Sequence, residues 1–519
     1  MRASFFGFNV VNSGMGAARN GVYVSSHNLA NLATDGFSRQ QAVIRASTPL
    51  NTFGRGGMLG TGSEMVGVNQ IRDAHLDSRF RSENTILGHQ QSLTRGLTIT
   101  QAIFASFEGS SQNNYFNNFF NATQTLATNP TDPALRQNFI QNGDNLSRLI
   151  NTQAEALRRQ QLDTNAEIRG VVHQINVIGG QIERLNVQIE RAEMTGPRAN
   201  DLRDRRQLLL DELSQLVNME AREVNVNGRN QLQVHIDGQL FVQHDLVHTL
   251  ELARREDLLN EGDADGLYTI LFNNGAPFNY QGSRTLSGQL GALLQIRDGN
   301  SMLQTTGPGA GTSHSPIAFR GIPYYIMRLN NMVRDFANAV NYGVNHLGSP
   351  IEGLGEGHVG NLRADGTVSG IPLFVSSVPG EAIDIFNFTI NPQIANDPSL
   401  IATHFGADSG GESANNFLLG LANLQNNRNL FPEGGVSDII ATIMAELGGD
   451  LLRAETFLDT QEGIVNVVHN QRLSVKGVSE NEETRNLVLF QNQFMALARM
   501  INVLDSIYDT MINGMGITR

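Results

Sequence analysis

Cysteine and tryptophan are absent from the 519 residues, and charge is sparse, at 17% of the chain against roughly 25% in an average soluble protein. Without cysteine there is no disulfide, no thiolate-held zinc or iron–sulfur cluster and no thiol nucleophile. The charges number 37 basic and 50 acidic, a net of −13, so the basic footprint that nucleic-acid binding needs is missing. No uninterrupted run of about 18 apolar residues occurs, and no membrane insertion is expected. The opening from Met1 to Val11, interrupted by Gly7 and Asn9, does not read as a cleaved signal peptide.

Catalytic and ligand motifs are also missing. Twelve histidines are scattered without a metal spacing, and there is no GxSxG nucleophile elbow. Glu261, Asp263, Asp265 and Gly266 begin like a calcium loop, but the twelfth position, where a bidentate Glu is required, is Phe272. Gly14 and Gly16 begin a GxGxx pattern with Arg19 at its sixth position and no strand before it, so a dinucleotide fingerprint fails. No catalytic, cofactor or metal residue is assigned, and no enzyme is expected.

The strongest pattern lies at the two ends. Phe8, Val11, Met15, Ala18, Val22, Leu29 and Leu32, with Ser25 as the polar member, recur at alternating spacings of three and four. Leu487, Phe490, Phe494, Leu497, Ile501, Leu504, Tyr508 and Met511 repeat the same spacing near the C-terminus. Both read as heptad helices. Ser479 and Glu482 predict a capping box at the start of the second.

Between Ser4 and Thr34 the only formally charged residue is Arg19, and between Asn486 and Leu504 the only one is Arg499. A second stripe accompanies each seam, Val10, Ala17 and Val24 in one and Leu489, Ala496 and Val503 in the other. Each helix therefore asks for neighbours on more than one side. Two readings follow: the ends fold when identical helices pack around them, or they form a coiled coil within the chain.

The pattern predicts an α+β multidomain fold, an elongated coiled-coil-like helical core built from both flanks with β-rich domains inserted. Residues 1–35 and 486–519 are the terminal helices, expected to form an inner tube core and to be disordered in the monomer. Residues 36–220, 316–348 and 412–485 form the long-helix domain, 221–315 a β-rich insertion and 349–411 a second β-rich segment. The heptad run Ile168 to Ile189, the hairpin turn Asp237-Gly238 and the helix carrying Ile326, Leu329, Val333, Phe336 and Val340 are the clearest interior signals. Short strands are expected to about residue 295, followed by a loop from Gln304 to Ser315, and the glycines at 54, 56, 57, 60 and 62 read as a link.

Asn28 and Asn31, followed by Thr34, Gly36 and Phe37, resemble the N-terminal signature of the flagellar axial proteins, which form rod, hook and junction. The continuation Phe37-Ser38-Arg39-Gln40-Gln41 is similar to the hook-associated junction branch. Gln491, Phe494, Ala496 and Arg499 resemble its C-terminal signature, and Asn129-Pro130 through Arg136, Leu329-Asn330 through Asn345 and Ile390-Asn391 through Ile401 resemble its interior. Phe37 and Phe494 stand where the family usually has Tyr, and Glu480 where it has an apolar residue.

The resemblance implies a structural, self-assembling subunit that connects hook to filament as a helical tube. It also implies flagellar type III export, contacts with hook protein and a second hook-associated junction protein, and a cytosolic export chaperone at the C-terminal helix. The location implied is extracellular, or periplasmic if the flagellum is periplasmic. The alternatives are a sister hook or filament-type axial subunit and, more distantly, a secreted enzyme or adhesin.

Overall fold

The computed structural model describes residues 6–51, 58–108, 112–194, 196–226, 229–278, 287–301, 319–406 and 414–514. The expected loop from Gln304 to Ser315 and the glycines at 54, 56 and 57 lie outside the described residues.

In chain order the helices are α1 (Phe6–Ala30), α2 (Ala74–Glu108), α3 (Gln112–Thr128), α4 (Pro133–Glu193), α5 (Asn200–Leu216), α6 (Gly288–Asp298) and α7 (Ile322–Tyr342). Then come the short α8 (Gly357–Gly360), α9 (Pro392–Asn396) and α10 (Asn416–Asn423), and the long α11 (Val436–Lys476) and α12 (Glu480–Asp509). The strands are β1 (Gln40–Ala46), β2 (Leu50–Asn51), β3 (Met58–Leu59), β4 (Ser63–Gln70), β5 (Met219–Val226), β6 (Arg229–Ile236), β7 (Gln239–Gln243) and β8 (Leu246–Val247). They continue with β9 (Leu250–Arg254), β10 (Tyr268–Phe272), β11 (Leu362–Arg363), β12 (Phe374–Ser376), β13 (Phe388–Ile390) and β14 (Ala402–His404). The fold is α+β, as the sequence patterns indicate.

Two compact units result. The first comprises Met1–Leu87, Gln174–Thr249 and Thr460–Arg519, the second Gly88–His173 and Leu250–Asp459. Helices α2, α4 and α11 each contribute a stretch to both.

In the first unit, β5 to β8 form an antiparallel meander in that order. Its β6–β7 turn is the expected Asp237-Gly238, with φ of 52° and 74°, the left-handed pair that such a two-residue turn requires. A bulge after Val234 brings Phe241 into the core beside Val242. The Phe241 ring lies where a side chain on Gly179 of α4 would be, 2.6 Å from an added Cβ. Strands β1 and β4 pair antiparallel with a bulge after Val43, so the described residues on either side of the stretch expected as a Gly-rich link are paired as the arms of a hairpin. Gly62 in it has φ of 112°.

The second unit is built round α7, whose Ile326, Leu329, Val333, Phe336 and Val340 are all buried as the heptad spacing implies. Phe336 sits among Phe116, Phe119, Phe120 and Phe374, and Phe374 stacks on Phe388 at 4.6 Å. Buried Asn341 is satisfied by the backbone, donating to the Phe374 carbonyl and accepting from the Leu373 and Phe374 N–H groups. Arg136 closes the turn after Asn129-Pro130 by donating to the carbonyls of Pro130 and Pro398.

Two expectations need amendment here. Strands were expected to about residue 295, but Gly288–Asp298 is a helix with nearly every residue buried, Arg297 and Asp298 included, and a short segment buried on all sides shows no one-face period to separate helix from strand. The block 221–315, expected as one β-rich insertion, is divided, with β5 to β8 in the first unit and β9, β10 and α6 in the second.

Candidate functional site

The terminal helices pair within the chain. A Cβ on Gly7 would meet Leu504 at 3.3 Å, on Gly14 Leu497 at 3.1 Å and on Gly21 the Phe490 ring at 2.6 Å. Each contact advances seven residues along α1 and retreats seven along α12, so the helices are antiparallel with heptad register. Phe8 stacks on Tyr508 at 5.4 Å. The second of the two readings of the ends is thus the arrangement within one chain.

Along α12, Leu487, Phe490, Phe494, Leu497, Ile501, Leu504 and Tyr508 are half-buried, while most residues between them are exposed. On α1, Val11 and Ala18 are buried, and Phe8, Met15 and Val22 half-buried. Buried Ser25 fits the seam as its polar member.

Leu29, Leu32 and Met511 depart from the expected seam, being 36%, 45% and 56% exposed. Helix α1 ends at Ala30, and the turn from Asn31 to Thr34 carries Leu32 away. Met511 lies beyond α12 in a final π-turn, Thr510–Gly514.

Below the pair, the polar residues of the N-terminal signature form a knot. Asn28 donates to the Gln40 carbonyl at 2.8 Å and accepts from the Gln40 N–H at 2.9 Å. Asn31 accepts from Thr34, the Phe37 N–H bonds back to the Thr34 carbonyl, and Phe37 meets the edge of His27. Gly36 takes a positive φ of 78° against Leu208. Arg39 forks between Glu482 and Glu483 at the start of α12, at 2.8 and 2.7 Å. That fork revises the capping box: Ser479 is the N-cap residue but makes no side-chain cap bond, and Glu482 is drawn to Arg39 instead.

Gln491, Ala496 and Arg499, expected with this signature, lie exposed along α12 and do not join the knot. Gln491 lines a small apolar cleft with Arg19, Val22, Phe494 and Met495. Ala496 lines a groove of about 630 Å³ between α1, α12 and the β1–β4 hairpin.

A buried charge network under the knot escaped the sequence reading. Arg472 of α11 donates to Asp77 of α2 and pairs with Asp211 of α5 at 2.7 Å. Arg72 pairs with Asp77 and Asp204, both at 2.9 Å, and Asp204 accepts from the Ser38 hydroxyl and N–H at 2.7 and 3.0 Å. Burial pushes the Asp77 carboxyl up, but Arg72 and Arg472 outweigh it and hold it below the usual range. Burial dominates at Asp204 and Asp211, whose values are raised. The Lys476 ammonium is lowered, first by burial and then by Arg472. The available signal was the α11 seam, which continues past Val468 in steps of four through Arg472 and Lys476, both buried. Polar residues on a seam of this kind fix register more than they add stability.

Elsewhere, Asp263 of the calcium-like loop is buried, accepting from Gln161 at 2.7 Å and from the Asn260 N–H at 3.0 Å, and Glu261 pairs with Arg334. These carboxylates are committed to the protein itself. Among the described residues no group of three or more His, Asp or Glu is placed to hold a metal ion.

Among the described residues one stretch, Val436–Asn513, is long and apolar enough by length and composition to cross a membrane, although none of its most apolar window is buried. The apolar residues of α12 reach this hydropathy despite the interruptions Gln491, Asn492, Gln493 and Arg499, so no unbroken apolar run is needed for it.

The family described as flagellar hook-associated protein FlgK helical domain matches residues 97–356. This chain belongs to that family. It is 25% identical to flagellar hook-associated protein 1 of Bacillus subtilis over 546 residues, covering 100% of this chain and 99% of the relative. The corresponding proteins of Salmonella typhimurium and Escherichia coli are each 25% identical over 96% of this chain and 98% of their own length. The solved structure of the flagellar hook junction protein FlgK from Burkholderia pseudomallei shares the fold, with a TM-score of 0.55 at 15% identity, over 77% of this chain and 100% of that one. The FlgK family is structural, and the role of this chain is that of a structural component of the bacterial flagellum at the hook–filament junction.

Proposed function

We propose that this chain joins hook to filament by packing the α1–α12 pairs of successive copies into the wall of a tube, with the remainder of each subunit outside. The observation that carries this is α12 itself: its inner seam is half-buried on α1, while its most apolar window has no buried residue. An apolar helix face of this length left in water marks an interaction surface. In a packed wall the apolar faces meet other copies, and an unpaired charge among them is costly, which accounts for Arg499 being the only formally charged residue between Asn486 and Leu504.

The partners that fit this reading are copies of the chain itself, hook protein below, a second hook-associated junction protein above, and before export a cytosolic chaperone that shields α12. The place is the extracellular part of the flagellum, or the periplasm where the flagellum lies there. Electron microscopy of a tagged full-length chain should find it at the boundary between hook and filament. Label elsewhere on the cell, or normal filaments on cells lacking the chain, would refute the proposal.

A further inference from the structure

On α12, beside the seam that faces α1, Leu489, Gln493, Ala496, Met500, Val503 and Ile507 follow the same alternating spacing of four and three, a second heptad strip. Its two halves differ in surroundings. Gln493 and Ala496 help to wall the groove, with Val10 and Ala17 of α1 and Ile44 of the hairpin. The hairpin is fixed there by Ser13, which accepts from the Ser63 N–H at 3.2 Å and donates to the Val10 carbonyl at 2.8 Å. Met500, Val503 and Ile507 are not among the groove's lining residues and are 51%, 54% and 43% exposed. Every residue lining the groove is uncharged, as is every residue of the strip.

The outer face of α1 has the opposite character. Asn9, Asn12, Arg19, Tyr23 and Ser26 are exposed there, a polar strip that has no need of an apolar partner.

We propose that copies of this chain meet by seating the free half of the α12 strip, Met500, Val503 and Ile507, in the groove of the next copy formed by α1, α12 and the β1–β4 hairpin, with the polar face of α1 left to water. This rests on the tube reading above and names its contact. A second copy is the occupant because the strip is in register with the seam that already packs on α1, so a neighbouring pair can extend that interface without a break. Strip and groove are also different patches of one molecule. Such a contact is heterologous: each copy offers one half and receives the other, which propagates around a ring or along a helix instead of closing as a pair.

The absence of cysteine makes an introduced thiol unique. Flagella would be isolated from cells co-expressing two full-length chains, Val503→Cys and Ile44→Cys, and oxidised. The mixed dimer, joined through positions 503 and 44, is expected as the main disulfide product, with none from the pair Tyr23→Cys and Ile44→Cys. A Val503→Cys self-dimer as the main product, or a crosslink through position 23, would overturn the proposal by showing a two-fold contact or the wrong face. Full-length Val503→Glu should melt as the wild type does and yet be missing from flagella; its normal incorporation would equally overturn the proposal. If the unsubstituted chain is present in isolated flagella while these crosslinks fail, only the contact is refuted. If the unsubstituted chain is itself absent from them, the tube reading falls too.

Discussion

The Phe490 ring occupies the space of a missing side chain at Gly21: a Cβ there would come within 2.6 Å of it. Gly21→Ala should therefore overpack the helix pair and destabilise it by about 1–3 kcal/mol. At Gly16 nothing lies within 4 Å of an added Cβ, so Gly16→Ala should stabilise α1 by up to about 1 kcal/mol through helix propensity alone. Amide hydrogen exchange across α1 reads both effects, and equal protection in the two variants would contradict the ladder.

Removing Arg472 leaves Asp77 and Asp211 buried beside each other with reduced compensation. Arg472→Met should cost about 3–5 kcal/mol, as when one partner of a buried ion pair is deleted. Arg472→Lys, which keeps the charge but loses the planar fork that spans two carboxylates, should cost less. Urea denaturation of the full chain measures both; a loss under about 1 kcal/mol for Arg472→Met would mean that the network is solvated.

In the second unit Asp263 and Asp335 are each pushed up to about 6, in both cases chiefly by burial. A carboxyl raised from 3.8 to about 6 on folding contributes stability that is present below pH 3.8 and is lost as pH rises through 6. His358, lowered from 6.5 to about 4 mainly by burial, acts in the opposite sense: its neutral folded form loses stability as pH falls below 6.5. The double variant Asp263→Asn, Asp335→Asn lacks the acid gain and keeps the histidine loss. Its melting temperature should therefore fall more steeply than that of the wild type between about pH 7 and 5. Parallel curves would show that neither carboxyl titrates in that window.

Removing residues 1–35 and 486–519 should leave a fragment that unfolds cooperatively, because the seam of α7 and the heptad run of α4 bury their residues without the ends. Circular dichroism with thermal melting checks this, and a melt without a sigmoidal transition would make the terminal pair part of the folding core.

Periodicity made the long helices readable. The spacings of Phe490, Leu497 and Leu504, or of Ile326 to Val340, record which face is buried, and a face is a local property of the chain. Partner identity is not local. Ser38 meets Asp204, Asp77 meets Arg472 and Arg39 meets Glu483 across separations of 166, 395 and 444 residues, and no spacing rule links such pairs. The polar signature from Asn28 to Arg39 was legible only as a resemblance, and its geometry explains each member, whereas Gln491, Ala496 and Arg499 of the C-terminal signature lie outside that knot. The β1–β4 hairpin was missed because glycines around its tip looked like a break, whereas in strands they mark bulges and close approaches, as where Gly62 lies against Ser13.

The antiparallel register of the terminal pair also sets an order in time. A ribosome makes Gly21 long before Phe490. At about 5–20 residues per second, the roughly 470 residues between them take on the order of half a minute or more. Helix α1 therefore exists throughout that interval without the helix that covers it. Any chain that stops short of α12 releases an uncovered apolar α1, so truncated products should be far more prone to aggregate than their missing length alone suggests.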